Sequence, residues 1–248
     1  MTIKVAVIGA AGRMGRTVIE AVDAAPDLDL AATVDLGDDL GLITEAGAQV
    51  AVDFSVPDAA PANVAWLIDH GVHAVVGATG WDEARLTTVR DHLGADPTVG
   101  VLIAPNFALG AVLAMRFAQL AAPYYESAEV VELHHPDKVD APSGTARHTG
   151  ELITQTRRQA GLSAPPDATN TGLDGARGAQ VGDVRVHAVR LRGLVAHEEI
   201  LFGGPGEQLT IRHDSFDRVS FMPGVLLGVR NVGSRPGLTV GLDGYLDL

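Results

Sequence analysis

Cysteine is absent from this 248-residue chain, which excludes disulfide bonds and thiolate metal sites. Lysine is nearly absent too: only Lys4 and Lys138 occur, against sixteen arginines. The net charge of −13 argues against an extended nucleic-acid surface or a polybasic membrane patch. Because the same negative field repels anionic ligands, a site for an anion needs its own local cluster of positive charge.

Long hydrophobic runs are also missing. No apolar stretch reaches the length of a transmembrane helix, and the N-terminus leads directly into a strand-like segment without signal-peptide architecture. Hydrophobic residues make up 46% of the chain and charged residues 20%, which is typical of a globular protein. We therefore expect a cytoplasmic protein with no membrane or nucleic-acid partner, built as one large domain or two ordinary ones.

Short apolar runs alternate with helical patterns over the first hundred residues. Strands are predicted at residues 3–9, 30–35, 50–55, 74–79 and 100–105, with helices at 12–25, 58–70 and 82–93. Such alternation indicates a parallel sheet with crossover helices. We predict a Rossmann-like dinucleotide-binding domain over residues 1–106.

The pattern changes after residue 106. Helices are predicted at 109–122 and 145–160, strands at 128–134, 184–191, 197–203 and 208–213, and an extended polar loop at 161–183. This order predicts a central α+β domain with a mixed sheet over residues 107–215. A helix at 221–232 and a strand at 238–242 predict that residues 216–248 return to the first domain. The predicted fold class is therefore α/β with a second, central domain.

A glycine-rich turn carries the cofactor signal. The sequence Gly9-Ala10-Ala11-Gly12-Arg13-Met14-Gly15 follows the first strand and opens the first helix. Glycines there let backbone N–H groups approach a pyrophosphate at the helix N-terminus. Asp35, which ends the second strand, is placed to hold the ribose hydroxyls of a nicotinamide dinucleotide. The alternative is an ordinary strand–helix turn, because the spacing is G-x-x-G-x-x-G rather than G-x-G-x-x-G.

The identity of the dinucleotide depends on charge near the ribose. Asp35 should repel a 2′-phosphate and Leu36 offers no compensating charge, whereas Arg13 or Arg16 is able to reach such a phosphate. We expect NADH to work at least as well as NADPH. Two further turns follow the fourth and fifth strands, where ligands of open parallel sheets bind. Their residues are candidates for nicotinamide contact: Gly77, Ala78, Thr79, Ala104, Pro105, Asn106 and Phe107.

The segment from Glu132 to Ala146 is the most informative part of the chain. It places one of only two lysines, Lys138, beside the pair His134-His135. Arginine does not release a proton in a protein whereas lysine does, so this choice suggests proton chemistry. The alternative is a solvated loop in which the residue types are accidental.

An anion receptor is predicted in the same segment. Ser143 follows a proline and precedes a helix, which makes it a candidate N-cap. The N–H groups of Gly144 and Thr145 would then bind a carboxylate or phosphate. Adjacent strand residues point to opposite faces, so only one histidine faces the reacting atom unless the strand has already ended. A metal site is the rival interpretation, but no supporting ligand spacing or acidic cluster accompanies the histidines, and no metal is predicted.

Four motifs occur in order along the chain: Gly-x-x-Gly-Arg-Met-Gly at 9–15, Gly-Ala-Thr-Gly at 77–80, Ala-Pro-Asn-Phe at 104–107, and His-His-x-x-Lys-x-Asp-Ala-Pro-Ser-Gly-Thr-Ala at 134–146. Together they resemble the 4-hydroxy-tetrahydrodipicolinate reductase family, also called dihydrodipicolinate reductase, of the diaminopimelate route to lysine. The similarity covers essentially the whole chain. One departure is Ala78, where the family commonly has Thr.

The resemblance implies a homotetramer that reduces a cyclic dicarboxylic imine with NADH or NADPH. It implies that His134 is the proton donor and acceptor, that Lys138 is a proton donor, and that His135, Gly144 and Thr145 bind substrate. It also implies a cofactor site formed by residues 9–14, Asp35, and the turns at 77–79 and 104–107.

Two alternatives remain at this point. A different nicotinamide-dependent dehydrogenase, acting on an amino acid or sugar, explains the first hundred residues equally well but leaves 134–146 unassigned. A non-catalytic NAD-binding sensor has no need of Lys138 between a His pair and an anion receptor.

Overall fold

The computed structural model describes residues 2–246, and its chain divides into two compact units. Unit 1 comprises Met1–Leu109 and Arg218–Leu248, and unit 2 comprises Gly110–Asp217. The first part of unit 1 contains strands β1 (Ile3–Ile8), β2 (Leu28–Val34), β3 (Val50–Asp53), β4 (His73–Val76) and β5 (Gly100–Ile103). Helices α1 (Arg13–Ala24), α2 (Gly41–Glu45), α3 (Ala60–Asp69) and α4 (Glu83–Leu93) alternate with them.

Unit 2 is built around a mixed five-stranded sheet. Its elements are α5 (Leu109–Ala121), β6 (Ser127–His134), α6 (Gly144–Gln159), β7 (Ala179–Val181), β8 (Val184–Arg190), β9 (Ala196–Gly204) and β10 (Glu207–Ser215). The strand order is β10-β9-β6-β8-β7, in which β6 and β8 are parallel and the other neighbours are antiparallel. The predicted mixed sheet is confirmed.

One face of this sheet is covered by helices. Side chains of β6 alternate between buried and half-buried positions, as expected for a strand with one face in a core. The core on that face contains Val130 and Phe202 from the sheet together with Ala118 of α5 and Ile153 of α6. Glu132 and His134 share the strand face of Val130, so both side chains belong to the helix-covered side.

The prediction of a structureless loop over 161–183 is wrong at its end, where β7 pairs with β8. This strand has three residues and is bounded by Gly178 and Gly182, both at positive φ. Three residues are too few to show an alternating pattern, so only pairing with a neighbouring strand reveals it.

The chain then returns to unit 1 through α7 (Met222–Asn231) and β11 (Gly237–Val240). Strand β11 pairs in parallel with β5, which completes a parallel sheet of order β11-β5-β4-β3-β1-β2. The predicted return of the C-terminal segment to the first domain is confirmed. All residues of β3 and β5 are buried, as expected for parallel strands covered by helices on both faces. Among residues 2–246, no helix is long and apolar enough to span a membrane.

Candidate functional site

The glycine turn of unit 1 lies at the carboxyl end of β1, beside the point where the strand order reverses between β2 and β3. Gly9 has φ of 78°, a conformation that L side chains rarely adopt. A Cβ atom at Gly15 would lie 2.1 Å from the carbonyl oxygen of Gly9, so only glycine lets α1 approach this turn so closely. Gly12 is the N-cap of α1 and provides no side-chain hydrogen bond to the helix end. The turn is therefore a backbone cradle of the kind that fits a dinucleotide phosphate.

Asp35 directly follows β2 and contacts this cradle. Its Oδ2 atom accepts a hydrogen bond from the backbone N–H of Ala11 at 2.5 Å, and its Oδ1 atom accepts one from Leu36 at 2.8 Å. These two hydrogen bonds hold the pKa of Asp35 below its usual range. The carboxylate is therefore ionised near neutral pH and lies next to the glycine turn, where a ribose hydroxyl donor would find an acceptor.

Phe54, at the end of β3, links the remaining turns of unit 1. Its backbone carbonyl restricts the space at Gly9, and a Cβ atom at Gly77 would lie 2.1 Å from its ring. The ring of Phe107 packs against it with a centroid distance of 5.8 Å. Phe54 was not predicted as a site residue, because nothing in its local pattern distinguishes it from any aromatic residue after a strand.

The other predicted cofactor residues of unit 1 lie on these turns. Ala78 and Ala104 are buried, whereas Thr79 and Pro105 are exposed. The side chain of Asn106 accepts a hydrogen bond from the N–H of Ala108, which shapes the turn after β5. The cradle, Asp35 and the two turns thus lie along one edge of the parallel sheet, and together they suit a dinucleotide.

The candidate acid–base site of unit 2 begins where β6 ends. His134 is the last residue of β6, and its side chain is 14% exposed. His135 lies beyond the strand and is exposed, so the strict alternation of a strand does not apply to it. The Nδ1 atom of His134 lies 2.5 Å from Oε2 of Glu132, which shares its strand face.

Glu132 is fully buried and pairs with Arg190, whose two terminal nitrogens each lie 2.8 Å from one of its oxygens. Oε1 of Glu132 also accepts a hydrogen bond of 3.1 Å from the backbone N–H of Ser143. Burial by itself raises the pKa of Glu132, but the hydrogen bonds from His134 and Arg190 outweigh it and bring the pKa down to about 2. The sequence pattern gave no role to Arg190, because only the pairing of β6 with β8 places it opposite His134.

The prediction that Ser143 is the N-cap of α6 is confirmed. The Oγ atom of Ser143 accepts a hydrogen bond from the N–H of Ala146 at 3.2 Å, and α6 begins at Gly144. The Asp140 carboxylate lies close enough to the backbone of Gly144 for that N–H group to help lower its pKa.

Asp140 also accepts a hydrogen bond from Nζ of Lys138, 2.6 Å away. Burial works to raise the pKa of Asp140, but the hydrogen bond from Lys138 overcomes it, so the pKa is lowered. Asp140 thus engages the ammonium group of Lys138.

The structure therefore brings His134, Lys138 and the start of α6 together in unit 2, through Glu132 and Asp140. Within the described residues 2–246, no three His, Asp or Glu side chains form a group able to hold a metal ion. A glycine turn that fits a dinucleotide phosphate lies on the parallel sheet of unit 1, and a cluster of titratable side chains lies beside a capped helix start in unit 2. These features indicate the class of nicotinamide-dependent oxidoreductases.

Comparison with known proteins identifies the family. The sequence model described as "Dihydrodipicolinate reductase, N-terminus" matches residues 3–107, and the one described as "Dihydrodipicolinate reductase, C-terminus" matches residues 110–246. The chain belongs to the dihydrodipicolinate reductase family.

Sequence similarity to members of this family extends over the full length of the chain. The 4-hydroxy-tetrahydrodipicolinate reductases of Nocardia farcinica and Beutenbergia cavernae are 63% and 64% identical over 248 residues, with complete coverage of both chains. The dipicolinate-bound dihydrodipicolinate reductase from Paenisporosarcina sp. TG-14 has a TM-score of 0.86 at 33% identity, covering 99% of this chain and 100% of that one. Both the predicted family and the predicted fold class are confirmed.

Proposed function

We propose that this chain catalyses the NADH- or NADPH-dependent reduction of 4-hydroxy-tetrahydrodipicolinate to tetrahydrodipicolinate, with loss of water, in the diaminopimelate route to lysine. The observation that carries this proposal is the cluster of His134, Lys138 and the Ser143-capped helix start in unit 2. Its relatives at 63% and 64% identity bear the name of this reductase, and a structural relative binds dipicolinate, an aromatic dicarboxylate.

Loss of the 4-hydroxyl group of the substrate as water gives a conjugated imine, and a hydride and a proton then add across its conjugated bonds. A bound nicotinamide dinucleotide would supply the hydride. His134 and Lys138 act as general acid–base groups that transfer protons to and from the substrate. A positioned acid of this kind typically contributes ~10²–10⁴-fold to the rate. Lys138 also stabilises negative charge that develops on the ring. His135, Ser143, Gly144 and Thr145 bind the substrate, with the N–H groups at the start of α6 directed at one carboxylate.

The cofactor residues of this proposal lie in unit 1. The backbone of residues 9–14 holds the pyrophosphate, Asp35 holds the ribose, and the turns at 77–79 and 104–107 contact the nicotinamide end. The ionised Asp35 beside an exposed Leu36 supports efficient use of NADH, because neither side chain compensates a 2′-phosphate. The family resemblance also leads us to propose a homotetramer, which light scattering of the purified protein tests.

The test is NADH and NADPH oxidation with substrate made in situ by dihydrodipicolinate synthase from pyruvate and aspartate semialdehyde. We expect synthase-dependent oxidation that falls ~10²-fold or more in Lys138→Met, with NADH binding unchanged. Lys4→Met is the matched control, since Lys4 is exposed in unit 1, and it should retain full turnover. Absence of oxidation by folded, NADH-binding protein would refute the proposal.

A further inference from the structure

Glu132 is the most highly connected side chain of the acid–base cluster, yet no part of the proposed reaction uses it directly. Its carboxylate accepts hydrogen bonds from His134, from both terminal nitrogens of Arg190 and from the backbone N–H of Ser143. The side chain is 0% exposed. With its oxygens engaged by three partners in the interior, it is unsuited to contact a substrate.

These three partners belong to three separate parts of the site. His134 ends β6, Arg190 ends the parallel strand β8 directly opposite it, and Ser143 caps the receptor helix. Arg190 extends the connection, because its NH2 nitrogen also donates to the backbone carbonyl of Asp140 at 2.7 Å. A single carboxylate therefore fixes the imidazole relative to the helix N-terminus and the loop that carries Lys138.

The same carboxylate selects the histidine tautomer. Flanked by the Arg190 guanidinium, Glu132 is ionised and acts only as an acceptor. The Nδ1 atom of His134, 2.5 Å away, must then carry hydrogen and donate it. In the neutral ring this leaves Nε2 without hydrogen.

We propose that Glu132 is the positioning residue of the site, which holds His134 in the Nδ1–H tautomer and sets its distance from the carboxylate receptor at the start of α6. The inference rests on the proposed reductase function for its kinetic consequence. Its tautomer consequence stands independently of any activity.

The first experiment needs no substitution in the positioning machinery. A two-bond ¹H–¹⁵N spectrum of the full-length protein, with the His134 signals assigned by their loss in His134→Gln, reports which ring nitrogen carries hydrogen. We expect neutral His134 to carry hydrogen at Nδ1 and none at Nε2. A predominant Nε2–H tautomer would overturn the proposal whether or not the enzyme is active.

The second experiment compares two carboxylates on the same strand. Glu129 lies on the opposite face of β6 and likewise contacts one histidine, with Nε2 of His187 at 2.7 Å, and one arginine, Arg177. Glu132→Gln should lower kcat at least ~100-fold while the Kd for NADH stays within about twofold. Glu129→Gln, the matched control, should retain the parent kcat.

Equal losses of turnover in Glu132→Gln and Glu129→Gln would show a general strand effect and overturn the proposal, as would a Glu132→Gln enzyme with parental kcat. If Glu132→Gln does not fold, the tautomer of His134 measured in the parent protein tests the proposal instead. A parent enzyme that oxidises neither cofactor would refute the proposed reaction instead, and the tautomer result would still stand or fall separately.

Discussion

Glu198 is a buried carboxyl whose ionisation should weaken the folded state. It lies on β9 directly across from Glu132 in the β6–β9 register, and it is 6% exposed. Burial raises its pKa to about 7 from an ordinary 4.5, the nearby Thr149 hydroxyl works against this shift, and the charge of Glu132 adds to it. His213 is its register partner on β10, and the pKa of that histidine is lowered by burial.

The sign of the effect follows from proton linkage. A carboxyl whose pKa is higher in the folded state contributes no penalty below pH 4.5, because it is then protonated whether the chain is folded or not. As pH rises from 4.5 to about 7, the unfolded chain releases this proton first and the folded state loses relative stability. At ~1.4 kcal/mol per pH unit, the penalty reaches ~3 kcal/mol above pH 7.

Glu198→Gln removes this proton equilibrium. We expect the variant to match the parent near pH 4.5 and to gain up to ~3 kcal/mol in free energy of unfolding by pH 8. Urea denaturation at several pH values and one fixed protein concentration measures the difference. Glu207→Gln, at an exposed position of β10, is the control and should show no such trend. A Glu198→Gln difference that is constant with pH would refute the argument.

Two further predictions concern the cofactor cradle. Asp35→Ala should weaken NADH binding more than NADPH binding, because it removes the proposed ribose acceptor and a charge that would repel a 2′-phosphate; equal Kd changes in fluorescence titrations would contradict this role. Gly15→Ala should cost ~1–3 kcal/mol of stability and impair NADH binding, because its Cβ would lie 2.1 Å from a backbone oxygen. Gly172→Ala, where no atom lies within 4 Å, should leave both denaturation and binding unchanged.

Much of the fold was predictable from the sequence because its signals are local. Buried parallel strands such as β3 and β5 appear as short apolar runs, and glycines and prolines mark their ends. The N-cap at Ser143 was predictable for the same reason, since a cap is decided by a few neighbouring residues. The short strand β7 was not, because its residues acquire strand structure only by pairing with β8.

In the candidate site, too, some features were predictable from the local sequence and others were fixed only by the tertiary structure. By itself, the sequence determined which chemical groups are available: a glycine turn before a helix, an acidic residue after the second strand, and a lysine beside a histidine pair. Only the tertiary structure decided how they are held. Arg190 lies 58 residues from Glu132 in sequence, and strand register alone brings the two together. Because the Glu132–Arg190 ion pair is buried, its strength and the proposed tautomer of His134 depend on neighbouring groups that no local sequence pattern specifies. The pKa of Glu198 depends on its buried surroundings for the same reason.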